Sequence, residues 1–295
     1  MLDALRSMIY QCIVTAIRED IVAEGERLLG LASDDGVPLR LLGGVAVRLQ
    51  APTVPPALDR AYKDLDLAAP KGGSVAADRL LRAAGYEPHT AFNALNGKER
   101  MLFFDPAHDR QVDVFVGAFR MCHEIPLSDR LDAQDRTVPL AELLLTKLQI
   151  IELNEKDVRD TLLLVHGHEV ADGDGEAING ERIAELCAGD WGLWRTITAN
   201  VAKVLGHAGD YDVANGDRER MTGRLREVLD RIEAAPKTRG WKLRARIGER
   251  KRWYRIRGRW PRSWWAARSC SSSSSPCSRC GSSAGWARCS CPPRA

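Results

Sequence analysis

The composition of this chain changes at Trp253, and this change limits which part can fold around an apolar core. Residues 253–295 contain no Leu and no Val, and Ser, Arg, Trp, Cys, Pro, Gly and Ala make up nearly all of them. A segment so poor in aliphatic residues cannot bury enough surface to offset the entropy lost on folding. We therefore expect a folded part, then a basic segment from residue 241 that leads into a disordered tail or the product of a shifted reading frame.

Charge and cysteine content follow the same division. The tail carries eight Arg and no acidic residue, whereas the first 252 residues carry 35 basic and 40 acidic ones. The folded part is thus mildly acidic and offers no broad basic surface for nucleic acid. Cys12, Cys122 and Cys187 are expected to be reduced thiols, and the pair Cys277 and Cys280 lacks the second pair of ligands that a zinc site needs.

Several classes of protein are excluded by the composition. No stretch approaches the roughly 18 to 20 apolar residues that a membrane helix needs, and the N-terminus lacks a signal-peptide pattern. Collagens, coiled coils and disulfide-stabilised mini-proteins do not fit either. We expect a cytoplasmic protein without a membrane partner.

Hydrophobic periodicity predicts an α+β fold, with a small mixed sheet in the first half and helices in the second. The pattern changes from alternating to helical spacing after Pro139. The domains expected from it are an α+β domain with an N-terminal helix over 1–138 and a helical domain over 139–240. The expected strands are 39–42, 62–67, 101–104 and 111–116, and the expected helices are 2–31, 45–49, 74–84, 140–153, 154–166, 180–188, 191–205 and 217–235.

Two aspartates stand two residues apart on the second predicted strand. Because alternate residues of a strand share a face, the carboxylates of Asp64 and Asp66 leave on the same side, while Leu65 and Leu67 point into the core. Paired carboxylates repel each other, and Mg²⁺ commonly binds one or two carboxylates together with substrate phosphates. Taken alone, the motif is more often a solvated sheet edge than a functional site.

Two further features favour a metal site over that alternative. Asp113 is the single carboxylate on the predicted strand 111–116, and the valines of that strand line its other face. If this strand pairs beside the strand of Asp64 and Asp66, three carboxylates come together. Upstream, Gly43 and Gly44 form a strand-to-helix turn, where backbone amides can approach a phosphate. Each feature also has a plain structural interpretation, as a surface residue and as an ordinary turn.

The order of these motifs resembles the nucleotidyltransferase superfamily of the DNA polymerase β type. That superfamily combines a hydrophobic residue and Gly-Gly or Gly-Ser, a spacer, Asp-x-Asp on a strand and a third acidic residue on a later strand. Leu42-Gly43-Gly44, Asp64-Leu65-Asp66 and Asp113 match this pattern. The spacer of 19 residues between Gly44 and Asp64 is longer than usual, and the Pro-rich loop 51–56 would absorb the excess.

A second resemblance lies in the helical part. Residues 143–148 and 156–160 are similar to the Leu-x-x-Lys-Leu and (Arg/Lys)-Asp-x-x-Asp motifs of the abortive-infection nucleotidyltransferase toxins of type IV toxin-antitoxin systems. Lys147 lies on an otherwise apolar helix face, so it needs a buried anionic partner such as a triphosphate, unless its ammonium group extends to solvent. Asp157 and Asp160 share a helix face and would orient Lys147 or contact the nucleotide; the alternative is that both are surface residues.

These resemblances imply transfer of a nucleoside monophosphate from an NTP to an acceptor, with Mg²⁺ or Mn²⁺ as cofactor. The acceptor is open between tRNA or another RNA, a protein and a small molecule, and an antitoxin is a further expected partner. Asp113 would help to hold a second metal ion and accept the proton of the attacking hydroxyl. The implied site comprises Asp64, Asp66 and Asp113 as metal ligands, Gly43, Gly44, Lys147, Asp157 and Asp160 as nucleotide-binding residues, and Asp64, Asp66, Asp113 and Lys147 as catalytic residues.

Two rival functions fit part of the same pattern. A metal-dependent glycosyltransferase also uses Asp-x-Asp, but such enzymes place several parallel strand-helix units before the motif, and only one is predicted here. A nucleotide-binding module without activity would keep the fold and the site and release no pyrophosphate. Fold alone does not decide between these functions.

Overall fold

In the computed structural model, which describes residues 16–256, the first half of the chain forms a five-stranded mixed sheet. The spatial order of the strands is β1-β2-β5-β4-β3, where β2 and β5 are parallel and the other neighbours are antiparallel. β2 and β5 each have a neighbouring strand on both sides, and their apolar residues lie in the core. The strands are β1 (Arg40–Leu42), β2 (Leu65–Ala69), β3 (Glu87–Pro88), β4 (Arg100–Asp105) and β5 (Arg110–Val116).

Helices follow the sheet in the second half, as the periodicity predicts, together with two short pairs of strands. The pairs are β6 (Ala118–Arg120) with β7 (Glu124–Pro126), which is antiparallel, and β8 (Val170–Ala171) with β9 (Ile178–Asn179), which is parallel. The helices are α1 (Ile21–Asp34), α2 (Gly43–Gln50), α3 (Ser74–Ala83), α4 (Thr90–Asn96), α5 (Leu140–Leu148), α6 (Glu155–Gly167), α7 (Gly180–Gly189), α8 (Trp191–His207), α9 (Asn215–Ala234) and α10 (Arg239–Ile247).

The first predicted helix is wrong in its extent. Residues 16–20 are not helical, and α1 begins at Ile21 because the carboxylate of Asp20 accepts a hydrogen bond from the amide of Ala23. An aspartate in that position caps a helix start, and the continuous 2–31 pattern hides it. Residues 1–15 and 257–295 lie outside the described residues, and with them the expected tail and its cysteine pair.

Other boundaries move by a few residues. β2 begins at Leu65 rather than at 62, so Asp64 directly precedes the strand. The helix predicted over 140–153 ends at Leu148, and residues 149–154 form a turn in which Asn154 caps α6. The predicted strands at 101–104 and 111–116 are confirmed as an antiparallel pair. The short strands β3 and β6 to β9, and α4, carry no periodic signal, so the sequence does not predict them.

One hydrophobic core extends from Leu28 in α1 to Ile232 in α9. All nine residues of α5 are buried, and this helix contacts α2, α6, α7 and α8. The segment before α5 runs beside β1, where the amide of Leu41 donates to the carbonyl of Arg136 at 2.9 Å and the amide of Val138 donates to the carbonyl of Leu41 at 3.0 Å. The helices therefore complete the core that the sheet begins.

The helices differ in how far they are buried, and none of those described is a membrane span. No helix within residues 16–256 has both the length and the apolar character needed to cross a membrane. The basic segment predicted from residue 241 begins inside α10, in which no residue is buried. Trp191 is 6% exposed, and Trp194 packs partly buried against the same core.

Candidate functional site

Asp66 and Asp113 are direct neighbours on the two central strands. In the parallel pairing of β2 with β5, Leu65 lies opposite Val112, Asp66 opposite Asp113 and Leu67 opposite Val114. Residues in register on paired strands point to the same face, so the two carboxylates share one face of the sheet while the flanking residues fill the core on the other. Asp64 is exposed in the loop that precedes β2, and its charge raises the pKa of Asp66.

The glycine bend lies against Asp66. β1 ends at Leu42, which pairs with Asp66, so the next residue, Gly43, begins α2 beside that carboxylate. Gly43 has φ +68°, and a Cβ placed on it would overlap Asp66 Oδ2. An L-residue is strained at this φ and has no room here, so the close approach of backbone to carboxylate requires glycine.

The surroundings of Asp66 favour its neutral form. Burial raises its pKa to about 7, and the nearby charge of Asp113 adds to this increase. The positive charge of Lys147 acts in the opposite direction but does not restore an ordinary value. Burial is the largest of these causes.

Lys147 and Arg60 share one buried carboxylate. Lys147 Nζ lies 2.7 Å from Asp160 Oδ2, and Arg60 donates to both oxygens of Asp160, at 2.8 Å from Nε and 2.6 Å from Nη2. Asp160 is 1% exposed and Lys147 is 8% exposed. Burial alone would raise the pKa of Asp160, but Lys147 and Arg60 outweigh it, and the pKa is lowered. The buried anionic partner that Lys147 needs is therefore present within the protein itself.

Asp157 lies one helical turn before Asp160 on α6 and is less well compensated. It is 6% exposed, and its Oδ2 atom is buried without a hydrogen-bond partner. Burial raises the pKa of Asp157, the charge of Lys147 opposes this, and Asp160 adds to the increase. The surface alternative for Asp157 and Asp160 is thus wrong, because both face the interior beside Lys147.

Asp113 has partners of its own. Arg100 donates from Nε to Asp113 Oδ1 at 2.7 Å, its Nη2 lies 2.6 Å from the same oxygen as an ion pair, and the side-chain amide of Gln111 donates to Oδ2 at 2.7 Å. Within residues 16–256, no three His, Cys, Asp or Glu side chains are grouped so that they could hold a metal ion. The predicted three-carboxylate set is therefore not assembled, since both oxygens of Asp113 are engaged by Arg100 and Gln111.

Two arginines of the site escape prediction from sequence. Arg60 lies across the glycine bend, where a Cβ on Gly44 would overlap its guanidinium group, and it stacks on the Tyr62 ring at 4.2 Å. Arg60 meets Asp160 across 100 residues of chain, and no local pattern signals such a contact. Arg100, at the start of β4, looks like an ordinary strand-edge residue, and only the strand order brings it to Asp113.

The site brings several carboxylates and cations close together. The members are Asp64, Asp66, Asp113, Asp157 and Asp160 with Arg60, Arg100 and Lys147. Carboxylate oxygens are the ligands that Mg²⁺ prefers. Asp64 and Asp66 remain the predicted ligands of one such ion, and Asp113, the third predicted ligand, is in an ion pair with Arg100.

A cavity of about 510 Å³ lies on another side of α6. Residues Asn154, Glu155 and Arg159 line it together with Lys203 and Tyr211 of the helical part. None of the predicted site residues lines this cavity. The cavity is therefore separate from the carboxylates of the sheet and from the glycine bend.

Comparisons with known proteins add no relative. No protein-family model matches this chain, and no curated protein or solved structure does. What the chain does must therefore be inferred from its own residues.

Proposed function

We propose that this protein is a nucleotidyltransferase that moves a nucleoside monophosphate from an NTP to an acceptor and releases pyrophosphate. The observation that carries the proposal is the meeting of Asp66, Asp113 and the Gly43 bend at one place on the sheet. Strand, glycine bend, helix and acidic strands occur in the order of the DNA polymerase β superfamily, which the sequence resembles. The defence-type toxins that it also resembles suggest a role with an antitoxin partner.

The residues have distinct roles in this proposal. Asp64 and Asp66 would hold one Mg²⁺ or Mn²⁺, and that ion would supply Lewis-acid stabilisation of the charge on the phosphates. The amides of Gly43 and Gly44, at the start of α2, would bind the negative phosphates at the positive end of the helix.

Lys147 and Arg60 add fixed positive charge beside this bend. Both contact Asp160, which holds them in place. A triphosphate at the bend would bring them a second anionic partner, and the two groups would change little in position. Preorganised charge of this kind supplies much of the rate acceleration in phosphoryl transfer, since the reaction needs mainly positioning and charge stabilisation.

The reaction balances as a simple displacement. The acceptor oxygen forms a bond to the α-phosphorus, and the bond from that phosphorus to the bridging oxygen breaks. Pyrophosphate leaves with the bonding pair. The acceptor proton passes to solvent, because both oxygens of Asp113, the proton acceptor that the resemblance implies, already accept hydrogen bonds from Arg100 and Gln111. None of these contacts specifies the acceptor or the preferred NTP.

The test is to follow the label from each α-³²P NTP. Full-length protein is incubated with one labelled NTP, MgCl₂ and cell extract, and the RNA, protein and small-molecule fractions are counted. We expect one fraction to be labelled with release of pyrophosphate, and Asp66→Asn to lower labelling by about 10²-fold or more. Asp230→Asn, on the exposed face of α9, is the matched control and should label as the wild type does.

Labelling that is unchanged in Asp66→Asn would contradict the proposal. Nucleotide binding without pyrophosphate release in any fraction would instead support a silent binding module. The glycosyltransferase alternative gains nothing from the sheet, because β2 with β5 is the one parallel pair of the described five-stranded sheet. Transfer of sugar from labelled nucleotide sugars would be needed to support the glycosyltransferase alternative.

A further inference from the structure

The carboxylate of Asp113 is enclosed by donors from two strands. Two nitrogens of Arg100 lie against Oδ1, with Nε donating a hydrogen bond and Nη2 in an ion pair, and Gln111, two residues away on β5, donates to Oδ2. Asp113 is 4% exposed, and the Arg100 side chain is 13% exposed. A charge-assisted contact this short and this sheltered from water is among the stronger polar interactions in proteins.

Arg100 is also held from its other side. Its guanidinium group lies 5.1 Å from the centre of the Phe115 ring, and Phe115 is its register partner on β5. A planar cation between a carboxylate and an aromatic face has little freedom to move. The guanidinium therefore occupies a defined position beside Asp113, which in turn lies opposite Asp66.

A metal ion bound through Asp113 would have to displace this arrangement. It would break the hydrogen bond and the ion pair with Arg100 or share their oxygen, and it would place a divalent ion next to a fixed guanidinium charge. Separating Arg100 from Asp113 would leave a sheltered cation beside a new cation, which is costly. Asp66 differs, because its carboxylate lies against the Gly43 bend rather than in an ion pair with Arg100.

We propose that Arg100 stands in for the second metal ion: the site binds one divalent cation through Asp64 and Asp66, and Asp113 positions the Arg100 guanidinium. This inference rests on the proposed function for the role of that charge, which would face the α-phosphate and the incoming acceptor oxygen. Asp113 is then a positioning residue that acts through Arg100. The inference departs from the two-ion arrangement that the resemblance implies.

The experiment counts metal ions on the protein. Full-length protein is titrated with MnCl₂, alone and with the non-transferable α,β-methylene analogues of the NTPs, and unbound Mn²⁺ is followed by electron paramagnetic resonance. We expect one Mn²⁺ per chain in the wild type beyond the amount bound by the analogue alone. Asp66→Asn should weaken its binding at least about 10-fold, whereas Asp113→Asn should change it by less than about 3-fold.

Arg100 variants provide the converse test. Arg100→Gln frees the Asp113 carboxylate, so a second Mn²⁺ is expected to bind, and Arg100→Lys, which keeps the charge, should still bind one. If Asp113→Asn fails to fold because it removes the carboxylate beside Arg100, the double variant Arg100→Gln with Asp113→Asn removes both charges and should again bind one. Two Mn²⁺ on the wild type, one of them lost in Asp113→Asn, would overturn the proposal, as would an Arg100→Gln protein that gains none.

Turnover distinguishes this inference from the proposed function. If the wild type transfers NMP, Arg100→Gln should lower kcat about 10²-fold with little change in KM, and Arg100→Lys should restore part of it. If no transfer is found and one Mn²⁺ is still counted, the transferase proposal fails and the single-ion site stands. If transfer is found and the wild type binds two ions, the transferase proposal stands and the single-ion inference fails.

Discussion

At Asp66, burial and a neighbouring carboxylate act together on a single proton. The pKa of about 7 lies above the value near 4 that an aspartate has in an unfolded chain, so the folded state keeps a proton that the unfolded state releases. Between about pH 4 and pH 7, the unfolded chain therefore binds fewer protons, and the free energy of unfolding falls as the pH rises. The contribution of protonated Asp66 is fully present below about pH 4 and is lost as the pH passes 7.

The change Asp66→Asn removes this titration while keeping the size of the side chain. In EDTA we expect the variant to be more stable than the wild type at pH 8, and the advantage to shrink towards pH 4, with a slope of at most about 1.4 kcal/mol per pH unit. Urea unfolding across this range measures the difference. Excess MgCl₂ should reduce the advantage at pH 8, because the ion stabilises the ionised wild-type site.

Asp230→Asn serves as the control, since Asp230 is exposed on α9. This control should leave the free energy of unfolding within about 0.5 kcal/mol of the wild-type value. A constant difference between Asp66→Asn and the wild type would contradict the raised pKa. An opposite slope would mean that Asp66 is stabilised as a carboxylate in the folded protein.

At the scale of elements, α5 and α6 are joined by a charge pair inside an apolar contact. Lys147 on α5 and Asp160 on α6 lie beneath the loop that carries Arg60, so three separate segments meet at one carboxylate. Removing one partner of a buried pair leaves an uncompensated charge, which costs more than the pair contributes as a whole. Removing Asp160 leaves both Lys147 and Arg60 without this carboxylate, whereas removing Lys147 leaves Asp160 paired with Arg60. The loss of Asp160 should therefore cost more stability than the loss of Lys147.

A double-mutant cycle with Lys147→Met and Asp160→Asn measures this coupling. We expect Asp160→Asn to lower the free energy of unfolding by about 3 to 5 kcal/mol, Lys147→Met to lower it by less, and the coupling energy to be about 1 to 3 kcal/mol. Urea unfolding of the four proteins provides the values. The exposed pair Arg82 and Asp78 on α3 offers a matched cycle, with an expected coupling of about 0.3 to 0.5 kcal/mol.

Equal couplings in the two cycles would show that burial adds nothing to the Lys147–Asp160 contact. A buried cycle that is additive within about 0.5 kcal/mol would mean that the two side chains do not stabilise each other. Either result would also count against Asp160 as the group that fixes the cations beside the glycine bend.

The same elements show what the sequence can and cannot predict. Period-two spacing and Gly43-Gly44 are enough to predict strand, bend and helix, because these signals are local. The partners of each residue are not predictable: Arg60 meets Asp160, and Arg100 meets Asp113, through the order of strands and helices rather than through spacing. Asp20 escapes recognition as a helix cap because the apolar pattern continues across it.

At the scale of the molecule, the sheet and the helices share one core. The sequence change at Pro139 suggests two domains, yet α5, which follows it, is buried along its whole length, and the segment before it is hydrogen-bonded to β1. The described residues, up to Ile256, belong to a single compact unit. Separating the parts would expose the apolar faces of α2 and α5 to water, and surfaces of that kind favour aggregation.

This arrangement predicts cooperative unfolding. In calorimetry, a chain ending at Ile256 should unfold in one transition, with the calorimetric enthalpy equal to the van't Hoff enthalpy, because no part of the core is complete without the other. Leu67→Ala in β2 and Leu144→Ala in α5, both fully buried, should each cost about 2 to 5 kcal/mol and lower the temperature of that same transition. Val75→Ala, at a residue 79% exposed, is the control and should leave the transition unchanged. The contrary result would be two transitions, with Leu67→Ala shifting only one and Leu144→Ala only the other. It would favour two domains that divide at residue 138, and it would mean that the contact between β1 and the 136–138 segment contributes little to stability.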